Sequence, residues 1–273
     1  MTAAATFTER VQQELARVDV ARSCDRRAEL AAIVSLTGEL HLRHGGDDPL
    51  QIDIPTRSGA VARRVFALLQ RELGVRASLE VHEPTALHAR PTYRVRVEAG
   101  ARHTATALGV LDADGRPTGG PPTAATEADC DAVAFARGAL LAAGSVSRPG
   151  RAAHMEVIAP SRQQADHLSA VMTRVTGRRA SVGRRSSSSE AVGQPGAGER
   201  WRVVMKSGEA IGDLLRAVGA TAAYLAWDEQ RLRRSLRNDA TRLANADAAN
   251  VRRAVDAAAT RVRDVERAIA AVG

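Results

Sequence analysis

Apolar positions along the first 220 residues fall into two sets that repeat in order, and a longer helical pattern takes over from Thr221. In the first set an apolar stretch over residues 28–38 ends on Gly38; in the second, residues 134–144 end on Gly144. Cys-Asp precedes each stretch, as Cys24-Asp25 and Cys130-Asp131, with the glycine fourteen residues after the cysteine in both copies. A short carboxylate side chain ahead of an apolar run caps a helix and a glycine after it stops one, so Asp25 and Asp131 are expected at N-caps.

The same sequence of signals then follows in each half. Residues 39–42, a polar turn at 45–49 and residues 50–54 read as a hairpin; so do residues 145–146, a turn at 147–150 and residues 154–158. Second helices are expected from Ser58 to Gly74 and from Ser161 to Gly177, sixteen residues apart in both cases. Val61, Val65, Leu68, Leu69 and Leu73 in one, and Leu168, Val171, Met172 and Val175 in the other, recur at helical spacing. Residues 76–79 mirror 179–182, and Tyr93-Arg94-Val95 mirrors Trp201-Arg202-Val203, giving third and fourth strands. Helical segments near 102–111 and 209–218 close the halves. Each half is therefore αββαββα, and so many features in one order point to duplication. The fold class is α+β, with repeat 1 at about 24–111, a Gly/Pro/Thr-rich linker at 112–127 and repeat 2 at about 128–220, together a domain over 1–220. Residues 184–198, rich in Ser and Gly, read as a hairpin loop that is free to move.

Residues 221–273 carry no strand signal. Leu225, Leu232, Leu236, Ala240 and Leu243 lie on one stripe of a first helix; Val251, Val255, Ala258, Val262, Val265 and Ile269 suit a second. Two such helices are each other's nearest partner. Arg231, Arg234, Arg237, Asn238 and Arg242 lie mostly off the stripe, and Arg252 and Arg253 follow.

Charge narrows the class of partner. The net charge is +8 and the pI about 10.8, which suits a polyanion whose counterions are released on binding. Lys206 is the only lysine, and an arginine-for-lysine bias of this kind accompanies a GC-rich genome, which leaves the net charge unexplained. With seven aromatic residues there is little to stack single-stranded bases, so double-stranded DNA is the expected partner. A second cluster, Arg178, Arg179, Arg184, Arg185, Arg200, Arg202 and Lys206, surrounds the Ser-rich loop. No apolar run approaches the roughly 18 residues of a membrane span, and Glu9, Arg10 and Glu14 stand where a signal peptide is apolar. The expected location is the cytoplasm, with no membrane partner. Cys24 and Cys130 have no Cys or His beside them at ligand spacing, so no metal and no cofactor are expected.

A duplicated αββαββα unit whose halves begin with an apolar helix ending in glycine resembles the LAGLIDADG homing-endonuclease fold. The resemblance implies a pseudo-twofold axis along the two motif helices, with a metal-binding carboxylate just before each final glycine. Here those positions are Thr37 and Ala143. Neither can hold the ion that polarises a phosphodiester and activates water, so no catalytic residue and no enzyme activity are expected. Glu39 follows the first glycine, but its counterpart is Ser145, and no carboxylate pair is recovered. Ala31, Ala32, Gly138, Ala139 and Ala142 keep the small side chains that close helix packing needs.

The run from Leu232 to Ala259, with Arg237-Asn238, Arg242, Asn245, Ala249-Asn250 and Ala257-Ala258-Ala259, resembles the start of the C-terminal domain of the WhiA family. Gly138-Ala139-Leu140-Leu141-Ala142-Ala143-Gly144-Ser145 and His154-Met155-Glu156 fit the same family. This likeness implies a regulator of sporulation, cell division and chromosome segregation with a C-terminal helix-turn-helix domain, associated with the nucleoid. The recognition helix of that domain is expected beyond Gly273, so residues 221–273 read as its incomplete beginning. Removing this segment is expected to abolish most DNA binding. The alternative is a scaffold whose duplicated domain contacts RNA polymerase or a sigma factor; an active nuclease ranks last.

Overall fold

The computed structural model describes residues 5–43, 49–84, 90–185 and 199–272. Most of the expected turn at 45–49 and of the loop at 184–198 thus lies outside the described residues.

Repeat 1 follows the expected order: α2 (Ser23–Thr37), β1 (Glu39–Leu42), β2 (Leu50–Thr56), α3 (Gly59–Leu73), β3 (Ala77–His82), β4 (Thr92–Val97) and α4 (Ala101–Ala107). Repeat 2 restates it as α5 (Asp129–Ala143), β5 (Gly144–Val146), β6 (Met155–Ala159), α6 (Arg162–Thr176), β7 (Ser181–Arg184), β8 (Trp201–Met205) and α7 (Gly208–Ala217). Both sheets are antiparallel, in the orders β1-β2-β4-β3 and β5-β6-β8-β7. Alternation sends Ile52, Ile54, Val95 and Val97 of the first sheet, and Met155, Val157, Val203 and Met205 of the second, into the core. They meet Val65, Leu68 and Leu69 of α3 and Leu168 and Met172 of α6, each fully buried side chain contributing about 1.5–3 kcal/mol.

Ser58 and Ser161 cap α3 and α6 through their hydroxyls, and Gly74 and Gly177 end them in the left-handed region at φ +62° and +66°. The motif helices differ at both ends. Asp25 and Asp131 are not caps: α2 and α5 begin earlier, the cap positions are Arg22 and Ala128, and the aspartates sit in the first turn, where the helix dipole favours them. Gly38 and Gly144 leave the helix in extended conformation. Space rather than φ demands glycine there: a Cβ would meet the Val34 carbonyl oxygen at 2.5 Å and Leu140 Cα at 2.7 Å.

Two further helices flank the repeats. α1 (Phe7–Leu15) opens with a capping box between Thr6 and Glu9 and buries Phe7, Val11 and Leu15. Gln12 reaches the Leu140 and Leu141 carbonyls at 3.4 and 3.3 Å, and Thr8 bonds both backbone groups of Val146, which ties α1 to repeat 2. α8 runs unbroken from Thr221 to Val272, 52 residues. This corrects the expectation of two mutually packed helices. Neither Gly nor Pro occurs between Thr221 and Val272, and the apolar row merely steps about 80° around the axis between Leu243 and Val251. Leu232, Leu236, Leu243, Val251, Val255, Val262, Val265 and Ile269 are all exposed.

The chain divides into two compact units, Met1–Trp227 and Asp228–Gly273. The first takes in the opening turns of α8. Glu14 accepts the Ala222 and Ala223 amides at 2.6 and 3.0 Å, and Trp227 is 5% exposed, stacked 6.2 Å from Phe7 with its Nε1 donating to the Gly208 carbonyl at 2.9 Å.

Candidate nucleic-acid interface

The geometry starts with α2 and α5, which are buried along their central stretches, residues 28–34 and 134–141. Cys24 lies beside Cys130 at one end. Eight residues on, Gly138 lies so close to α2 that a Cβ there would stand 2.9 Å from Ala32 Cβ and 2.3 Å from the Glu29 carbonyl oxygen. Equivalent residues, 106 apart, therefore face one another at two levels, so the helices run side by side in the same direction about a pseudo-twofold axis. Thr37 and Ala143 come at their far ends, and Thr37 Oγ1 donates to its own helix at the Ile33 carbonyl, 2.9 Å away. Glu39 is exposed on β1, near His41 at 3.7 Å and opposite Asp53 in the ladder. Asp53 is committed elsewhere. Burial resists its ionisation, but hydrogen bonds from Arg96 and Gln51 and the charges of Arg96 and Arg94 outweigh it, holding the carboxyl below its usual range.

Between the helix ends the core holds a charge network that the sequence reading did not single out. Glu29 is fully buried; Arg64 grips it through two bonds of 2.7 and 3.0 Å, and Arg137 adds a third at 2.8 Å. Arg64 also donates to the Val18 carbonyl and Arg137 to that of Val218, so each guanidinium places further donors on backbone. A glutamate inside an apolar run was the available signal.

The basic clusters are differently employed. Around β7 and β8, Arg178 pairs with Glu209 and Asp213, and Arg184 with Glu199. Arg179, Arg185, Arg200, Arg202 and Lys206 are exposed and have no ion pair among the described residues. Arg185 and Arg200 are ladder neighbours, joined by a backbone bond of 2.9 Å. Within the second unit, Arg231 pairs with Asp228, Arg242 with Asp239, and Arg253 bonds Asn250. At 100° per residue Arg231, Asn238, Arg242 and Arg253 fall within about 60° of one another, with Arg234, Arg237 and Arg252 on their flank. All seven are exposed; by the same helical spacing five lie about 100° or more from Leu232, Leu236 and Leu243, while Arg242 and Arg253 come within about 80° and 60° of Leu232.

Among the described residues, one group of three or more side chains able to ligate a metal ion comes together, and it is not at Thr37 and Ala143. It is Cys24, Asp25, Cys130 and Asp131, whose ligand atoms all lie within 4.8 Å of one another. Spacing along the chain hid it, because the partners are 106 residues apart.

A pair of αββαββα repeats joined along two motif helices defines a LAGLIDADG-like protein. Comparison with known proteins narrows this. The WhiA N-terminal LAGLIDADG-like domain matches residues 23–111, and the WhiA LAGLIDADG-like domain matches 132–194 and 196–237. A probable cell division protein WhiA from Acidothermus cellulolyticus is 40% identical over 268 residues, 98% of this chain and 78% of that protein. The chain belongs to the WhiA family. The crystal structure of full-length WhiA from Thermatoga maritima has the same fold, with a TM-score of 0.63 and 18% identity over 84% of this chain and 67% of that one. The N-terminal LAGLIDADG domain of WhiA gives 0.59 and 18%, covering 80% of this chain and 93% of that one. No helix among the described residues is long and apolar enough to cross a membrane.

Proposed function

We propose that the chain is a regulator of cell division that binds duplex DNA without cutting it. The observation that carries this reading is the basic face of α8, from Arg231 to Arg253, supplemented by the five exposed cations on and around β7 and β8. Relatives carry the name cell division protein, which supports the regulatory half of the proposal. The same reading extends to sporulation and chromosome segregation and to a cytoplasmic protein gathered on the nucleoid. Phosphate contacts of this kind position a protein on DNA without specifying sequence. The loss of both motif carboxylates supports the absence of hydrolysis, since an ion must be held before it can activate water.

The test is duplex binding by the full chain at several salt concentrations. Every phosphate that a variant no longer neutralises flattens the slope of log affinity against log salt by about 0.9, so Arg237→Ala, Arg242→Ala and Arg252→Ala together should flatten it by up to about 2.7. Arg185→Ala, Arg200→Ala and Arg202→Ala should have the smaller effect. The reverse ranking moves the interface to β7 and β8. A chain that binds no duplex at any salt concentration, or that nicks supercoiled plasmid with Mg²⁺ or Mn²⁺, overturns the proposal. The exposed apolar row from Leu232 to Ile269 favours a second reading, in which a protein such as RNA polymerase or a sigma factor is the partner.

A further inference from the structure

From the juxtaposition of Cys24, Asp25, Cys130 and Asp131 we infer a binding site for one thiophilic divalent cation of the Zn²⁺ class, clamping the two repeats together at the first turns of α2 and α5.

The donor set is two sulfurs and two carboxylates, the number and kind that a tetrahedral zinc site uses. Each repeat supplies one thiol and one carboxylate from consecutive residues, so the pseudo-twofold axis passes through the middle of the set. The ligand atoms lie within 4.8 Å of one another. A tetrahedral ion with Zn–S bonds of about 2.3 Å needs its sulfurs about 3.8 Å apart. Cys24 is exposed and the other three are half-buried, which leaves their side chains room to turn toward a shared ion. Cys24 and Asp131 also line a cavity of about 440 Å³, together with Arg27, Ala31 and Pro122, through which an ion can enter.

The charges suit a cation: two carboxylates converge on two thiols, with Cys24 Sγ donating to Asp25 at 3.6 Å and Cys130 Sγ to Asp131 at 3.7 Å. The backbone amides of two helix N-termini favour thiolates at Cys24 and Cys130 once the ion has displaced their protons. Binding is then Zn²⁺ exchanged for two thiol protons, with no redox partner required. Residues 37 and 143 play no part, so the clamp is separate from the positions where LAGLIDADG enzymes hold their ion.

The full chain, kept reduced with a phosphine, is dialysed against Zn²⁺, and in parallel titrated with Co²⁺. The expected result is one equivalent of Zn²⁺ bound, about two protons released at neutral pH, and a thiolate-to-cobalt charge-transfer band with Co²⁺. Cys24→Ser with Cys130→Ser should abolish all three while the apo chain keeps its circular dichroism and melting temperature. Asp25→Asn with Asp131→Asn should weaken Zn²⁺ at least tenfold yet keep the charge-transfer band. Zn²⁺ should raise the melting temperature of the wild type and leave that of the Cys variant unchanged. Absence of stoichiometric Zn²⁺ from the reduced chain, or binding that survives loss of both thiols, overturns the inference. So does a reduced chain that ignores Zn²⁺ while its oxidised form loses two hydrogens to a Cys24–Cys130 disulfide.

Discussion

Replacing Glu29 by glutamine keeps the shape of the side chain and removes the charge on which two buried arginines depend. The native carboxylate is fully buried and accepts three bonds, at 2.7 and 3.0 Å from Arg64 and 2.8 Å from Arg137. The arginine side chains are only 13% and 8% exposed, so water cannot take over the missing interaction. The new amide must also turn an NH₂ toward one of two guanidiniums. Breaking a buried pair by removing one partner costs about 3–5 kcal/mol. In a unit of this size each kcal/mol moves the melting temperature by about 2–4 °C, so Glu29→Gln should lower it by about 6–20 °C. Thermal and urea unfolding followed by circular dichroism and Trp fluorescence measure this directly. The triple variant Glu29→Leu, Arg64→Met, Arg137→Met should recover most of the loss, because no unpaired charge is left behind. It will fall short of the wild type by about 1 kcal/mol for each carbonyl, Val18 and Val218, that is deprived of its donor. A Glu29→Gln chain within about 1 kcal/mol of the wild type, or a triple variant less stable than the single, would refute the reasoning.

Other perturbations test separate parts of the fold. Trp227→Ala removes a buried ring and its bond to Gly208 and should cost the first unit about 3–5 kcal/mol, whereas Leu236→Ala, exposed on α8, should change its unfolding by less than about 0.5 kcal/mol. Acid should unfold the first unit in two stages, read as urea midpoints against pH. Burial keeps His167 neutral in the fold, so stability first declines as the unfolded ring takes up protons below about pH 6.5. Asp53 and Glu72 have lowered folded pKa values; their stabilisation is present above about pH 4 and is lost as pH falls through those lowered values. His167→Phe should remove the first stage and Asp53→Asn shrink the second. Gly138→Leu drives a side chain into the Glu29 carbonyl and should destabilise by at least about 1–3 kcal/mol, whereas Gly74→Asn, in open space at φ +62°, should cost less, both measured in urea.

Local signals placed most of the elements because local physics decided them. Ser58 and Ser161 announce helices through hydroxyl caps, Gly74 and Gly177 end them through a backbone conformation other residues avoid, and β-strand alternation put Ile52, Ile54, Val95 and Val97 inside. The misreadings have one cause, which is that the deciding partner is remote. Asp25 looks like a cap until the helix is seen to begin at Ser23. The apolar row of α8 reads as two helices because its phase shifts, although nothing in the chain breaks the backbone there. α1 passed unnoticed since its three buried residues matter only once repeat 2 is beside them. At the candidate sites, Thr37 and Ala143 before the two glycines were plain in the sequence. Glu29 with Arg137, and Cys24 with Cys130, gain meaning only across the pseudo-twofold axis, more than a hundred residues away in sequence.

That axis is imperfect at its centre. The counterpart of Glu29 in repeat 2 is Phe135, and the counterpart of Arg137 in repeat 1 is Ala31. A chain that exchanged halves with a neighbour to join two second repeats would bury Arg137 against phenylalanine, with no carboxylate in reach. Two first repeats brought together would each leave Glu29 with Arg64 alone. At this network the duplicated halves are complementary rather than interchangeable, because Glu29 and Arg137 meet only where a first repeat packs on a second.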